Sequence, residues 1–169
     1  MTSEGGTAAL EELWWLLEQT GHLSRRMTER RLATLSVAPE QLHALRVVDE
    51  YKEMTVGELA RALGLERNSA SQLVERLVLY RFVERERSTS DRRRVHVKPL
   101  EQGEALLQRA MPEVVNLATQ MVEGIPEEDL AATLRVLRVL RDRFTELLAQ
   151  DAGQRRGEVE RAHEQLTGR

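Results

Sequence analysis

The sequence predicts a mainly α-helical chain carrying one small β-hairpin, and three observations point there. Among the 169 residues, 41% are hydrophobic and 31% charged, but only 4% are aromatic. Leu, Ala, Arg and Glu dominate, which suits helices with charged outer faces rather than a β-sandwich. Apolar residues recur at three- and four-residue spacing through most of the chain. A single segment, VERERSTSDRRRVHVK, alternates as strands do around a polar, basic tip.

The first helix is expected over Ala8–Ala33. Leu10, Leu13, Trp14 and Leu17 form one apolar line and Leu16, Leu23 and Met27 a second. Two such faces on one helix imply packing both on its own domain and on a partner. Pro39 suits the first turn of a second helix, which carries Leu42, Leu45 and Val48 to about Glu50. Thr55 followed by Glu58 reads as a capping box opening a third helix that ends at Leu63, before Gly64. A fourth helix spans Arg67–Leu79 with Ala70, Leu73, Val74 and Leu77 facing inward. Val83–Glu86 forms one strand, and Val95 and Val97 alternate in the other.

A fifth helix is expected over Leu100–Val122, interrupted and kinked at Pro112, with Leu107, Met111, Val114, Ala118 and Met121 spaced as a helix–helix seam. Gly124, Ile125 and Pro126 mark a turn. The sixth helix opens on Glu127, Glu128 and Asp129, which suit the positive end of its dipole, and runs to about Ala149 along Leu130, Leu134, Leu137, Leu140, Phe144 and Leu147. The remaining tail has few apolar residues and reads as frayed helix or disorder. The chain therefore divides into an N-terminal helix, 1–36; a central segment, 37–99; C-terminal helices, 100–150; and a polar tail, 151–169.

Net charge is −3, which alone does not suggest a nucleic-acid partner. Its distribution does. Arg61 to Lys98 carry ten Lys/Arg against five Asp/Glu, leaving fifteen against twenty-three elsewhere. A basic segment on an acidic scaffold fits a DNA-binding lobe. No cysteine is present, which excludes disulfides and thiolate metal sites. His22, His43, His96 and His163 lack ligand spacing, so no metal is expected. No cofactor is expected, and no phosphate loop or catalytic triad stands out, so the chain is read as no enzyme. No apolar run nears the roughly 20 residues of a membrane span, and the acidic start is unlike a secretory signal. No membrane partner is expected, and a cytoplasmic location is.

Helix, short turn, helix and basic hairpin in that order make a winged helix-turn-helix, so 37–99 is read as a DNA-binding domain. On the fourth helix, Arg67, Asn68, Ser69, Ser71, Gln72 and Arg76 present polar groups suited to bases and phosphates. Gln72 is the leading candidate for reading a base, while Glu75 reads as solvated. In the wing, Arg87, Arg92, Arg93 and Arg94 suit the minor groove, with Asp91 orienting an arginine from within the loop.

From Val37 to Gln41, through GELARALGLERNSASQLVERL and VERERSTSDRRRVHV to Gly103, the chain resembles the MarR family of bacterial transcription regulators. The resemblance covers about Leu10 to Ala149, and the DxR of its wing is Asp91 and Arg93. It implies a homodimer built from the first, fifth and sixth helices, with 1–36 and 100–150 forming a dimerisation domain. It also implies a sequence-specific regulator of double-stranded DNA, commonly a repressor, reading pseudo-palindromic half-sites. A small-molecule effector is implied between scaffold and DNA lobes, where Trp14, Trp15, His22 and His43 are the candidate lining residues. The sequence departs from the family at four places: Arg81 replaces a glycine, Pro99-Leu100 a Leu-Thr pair, Ala38 a capping Thr, and Gln72 a common basic residue. The alternative reading is an architectural or protein-interaction dimer that binds DNA without sequence preference.

Overall fold

The computed structural model describes residues 4–87 and 94–167. Six α-helices and a three-stranded sheet follow one another as α1 (Glu4–Leu32), α2 (Pro39–Tyr51), β1 (Met54–Thr55), α3 (Val56–Leu63), α4 (Arg67–Leu79), β2 (Val83–Arg87), β3 (Val95–Pro99), α5 (Glu101–Met121) and α6 (Glu127–Thr167). A single 3-10 turn, Ala33–Leu35, follows α1.

The core is gathered between Leu32 and Ala110. Leu42, Leu45 and Val48 of α2 meet Leu59 of α3, Leu73, Val74 and Leu77 of α4, Val83 and Val97 of the sheet, and Leu106, Leu107 and Ala110 of α5. Those positions follow the helical and strand periods, so burial of this apolar set drives the lobe together. The sheet order is β1-β3-β2, antiparallel throughout, with Thr55 opposite His96 and Arg85 opposite Val97.

The start of α2 has Ala38 at its N-cap, a residue with no side-chain acceptor. Only half of a capping box therefore forms: the Ala38 N–H donates to Gln41 Oε1 at 3.0 Å. Pro39 needs no acceptor at the next position. The opening of α5 is similar, with Leu100 at the N-cap and no side-chain bond. The Leu100 N–H donates to the Phe82 carbonyl at 3.0 Å, tying the helix to the end of the wing. Three residues on, Gly103 presses against that same carbonyl, and a Cβ there would also meet Leu45 Cδ1 at 3.0 Å.

Three elements differ from the sequence expectation. β1 was not foreseen, because two residues show no alternation. α5 continues as helix through Pro112, where an interruption was expected. α6 continues as helix to Thr167 rather than giving way to a tail after Ala149. The last apolar residues of its seam are Leu147 and Leu148, so periodicity gave no sign of the extension, whereas Glu, Gln, Arg and Ala beyond favour helix intrinsically.

Candidate nucleic-acid interface

The interface is built from two helix ends and one strand face. Thr55 caps α3: its hydroxyl oxygen accepts from the Glu58 N–H at 3.2 Å, and its own N–H donates to Glu58 Oε2 at 2.7 Å. Bonds from the Thr55 backbone and hydroxyl hold the Glu58 carboxyl below its ordinary range, with Arg61 and Arg94 adding positive charge nearby. α3 ends where the Leu65 N–H donates to the Ala60 carbonyl at 2.8 Å and the Gly64 N–H to the Arg61 carbonyl at 3.3 Å. This Schellman pair requires a left-handed residue, and Gly64 supplies it at φ 63°.

α4 leaves that turn with Ala70, Leu73, Val74 and Leu77 buried. Arg67, Asn68, Ser69, Gln72 and Arg76 are exposed, and Ser71 is half-buried. Glu66, at the N-cap, makes no side-chain cap bond, and the first turn holds no acidic residue. The first-turn amides of this 13-residue helix thus lack a side-chain cap and can meet an anion.

At its far end α4 stops by the same pattern. The Phe82 N–H donates to the Leu77 carbonyl and the Arg81 N–H to the Val78 carbonyl, both at 2.9 Å. Here Arg81 takes the left-handed place at φ 57°. The chain does without the expected glycine by straining an arginine.

The wing strands have two unlike faces. Val83, Arg85 and Arg87 share the face toward α4, with Val83 in the core and Arg87 exposed at the strand end. Arg85 Nη2 lies 3.4 Å from the Ser71 carbonyl and 3.9 Å from Glu75 Oε1. On the other face Lys98 bonds Glu86 and lies 3.7 Å from Glu53, which raises the Lys98 pKa and lowers that of Glu86. His96 Nδ1 is 3.3 Å from Glu53 Oε1, but the approach lacks hydrogen-bond geometry.

Of the wing residues named from sequence, Arg87 closes β2 and Arg94 precedes β3, within electrostatic reach of Glu58. Asp91, Arg92 and Arg93 lie outside the described residues. Sequence reading missed Arg85. The available signal was strand alternation, which puts it on the face of Val83.

The candidate effector residues separate. A cleft of about 360 Å³ lies where α1, α2 and α5 meet, and His43 lines it with Arg25, Glu40, Arg46 and Met111. Trp14 and Trp15 stand exposed on α1, at 53% and 67%, and neither lines this cleft; nor does His22. Burial in the cleft, helped by the positive charge of Arg46, pushes the His43 imidazole pKa down. Arg25 pairs with Glu40 across the mouth. Among the described residues no His/Asp/Glu group could hold a metal ion, and no helix is long and apolar enough to cross a membrane.

Residues 35–94 match the family model described as MarR family. Over 96 residues the chain is 28% identical to the uncharacterized HTH-type transcriptional regulator YsmB of Bacillus subtilis, covering 57% of this chain and just under two thirds (66%) of that one. A MarR family protein from Bacillus stearothermophilus has a similar structure, with TM-score 0.68 and 25% identity over 86% of this chain and 99% of the other. A mutant MarR from E. coli complexed with operator DNA shares the fold, with TM-score 0.72 and 21% identity over 78% of this chain and 95% of that one. The winged helix-turn-helix of residues 35–94 is thus similar in sequence to the MarR family, and the chain around it shares the fold of MarR family structures.

Proposed function

We propose that the protein is a dimeric transcription regulator that binds double-stranded DNA sequence-specifically and acts as a repressor released by a small molecule. The observation that carries this reading is α4: an exposed face of Arg67, Asn68, Ser69, Gln72 and Arg76 beside uncapped amides and an arginine-bearing wing. Arg, Asn and Gln bond base edges in pairs, while serines and amides suit phosphates. Gln72, one turn into the helix, reads a base; Arg87 and the loop arginines Arg92 and Arg93 take the adjoining minor groove.

Dimerisation is supported by apolar surface that one chain leaves open. On α1, Leu10, Trp14, Trp15, Leu16 and Leu23 are each more than half exposed, and so are Val115 of α5 and Val139, Leu147 and Leu148 of α6. Faces of this extent mark an interface. Two copies related by a two-fold axis would set their recognition helices about 10 base pairs apart on DNA. The cleft beside His43 falls within the roughly 300–1,000 Å³ usual for a small-molecule site. It adjoins both α1 and α2, so a ligand there bears on scaffold and lobe together.

The test is binding of purified protein to the DNA upstream of its own gene and to a scrambled duplex, at two salt concentrations, with Gln72→Ala alongside. The proposal expects tight binding to the upstream DNA alone, and a loss of preference of about 1–3 kcal/mol in the variant. Equal, salt-weakened binding to both duplexes would instead support a sequence-blind architectural dimer.

A further inference from the structure

Apolar packing sets which face of a helix is buried, but it is non-directional and leaves small rotations about the axis open. The recognition helix is seated by Ala70, Leu73, Val74 and Leu77 alone on its inner face. Beside that face, one side chain from the wing adds direction. Arg85 stands opposite the fully buried Val97 and two residues beyond the buried Val83, so its side chain leaves the core edge toward α4. Its Nη2 reaches the Ser71 carbonyl at 3.4 Å and the Glu75 carboxylate at 3.9 Å, two positions one helical turn apart on the flank adjoining Gln72. Glu75 would otherwise bring an unpaired negative charge to the DNA-facing side of α4, where phosphates repel it.

We infer that Arg85 is a positioning residue for base discrimination: by gripping Ser71 and Glu75 it fixes the rotation of the recognition helix against the wing. This rests on the DNA-reading proposal above. Arg87, two residues farther along the same strand face, moves with it, so one guanidinium sets the offset between the major-groove reader Gln72 and the minor-groove arginines. The grip is directional because it joins a hydrogen bond to a fixed backbone carbonyl with an ion pair one helical turn on, both made by one end of a rigid, planar guanidinium.

The experiment starts from a duplex that the wild-type protein selects out of a random library, with a scrambled duplex for comparison. Affinities for both are measured with Arg85→Ala, Glu75→Gln and the double variant. Both side chains are exposed by more than a third, so melting temperatures should stay close to wild type. Arg85→Ala is expected to lower the selected-to-scrambled ratio by about three- to tenfold. Glu75→Gln should lower the same ratio even though it removes a charge that phosphates repel. The double variant should lose no more than the worse single one, the mark of a shared interaction. Equal loss on both duplexes would make Arg85 an ordinary phosphate contact and overturn the inference, as would additive losses. Failure of the wild type to select any sequence would overturn the DNA-reading proposal and this role together.

Discussion

Gly103 of α5 lies so close to the carbonyl oxygen of Phe82 that no side chain fits between them. That oxygen already accepts from the Leu100 N–H, so it cannot withdraw without breaking the joint between wing and scaffold. Gly103→Ala is therefore expected to destabilise the protein by about 3 kcal/mol or more, the upper range for overpacking. Urea unfolding compared with wild type checks it. An unchanged midpoint would mean that α5 can shift away.

Arg81 closes the recognition helix in the left-handed region, at φ 57°. A side chain there costs about 1–2 kcal/mol, which glycine escapes apart from its greater freedom when unfolded. Arg81→Gly should stabilise by about 1 kcal/mol net, read as a higher unfolding midpoint with an unchanged slope.

Ala38 offers its N–H to Gln41 and nothing in return. Its backbone already has the extended N-cap conformation. Ala38→Ser would complete the reciprocal box and should add about 1 kcal/mol. The same substitution made together with Gln41→Ala should add less.

His43 carries a pH dependence of defined sign. Burial, then Arg46, lowers its pKa from the ordinary 6.5. Between that value and the lower folded one, the unfolded chain binds more protons. Stability from this group is thus full above 6.5 and declines as pH falls through the folded value. Denaturation midpoints taken from pH 8 to 5 should fall more steeply for wild type than for His43→Asn, with the curves diverging only on the acid side. Parallel curves would remove His43 as the cause.

What the sequence made legible follows the strength of local signals. α4 spans the expected Arg67–Leu79, because buried and polar positions alternate cleanly at helical spacing between a glycine turn and a hairpin. Thr55 and Glu58 form the expected box for the same reason: capping is decided by four adjacent residues. β1 stayed hidden, since Met54 and Thr55 become a strand only by pairing with Val97 and His96 more than forty positions away. The cleft was not readable either. Its wall combines residues from three helices, and chemistry alone pointed to tryptophans that stand elsewhere. Arg85 was passed over because strand charges resemble a solvated edge until the helix beside them is in place.

The hydrophobic set running from Leu32 to Ala110 closes within one chain. Beyond it, most of α1, the outer part of α5 and α6 contribute no fully buried side chain among the described residues. The two halves of the molecule then obey different laws. The reading lobe keeps its shape at any dilution, whereas the scaffold, in the proposed dimer, gains its burial from a second copy and strengthens with concentration. Abundance itself becomes an input. When the protein is scarce the lobes survive but lose their fixed separation, and a paired operator would be released by dilution before any effector arrives.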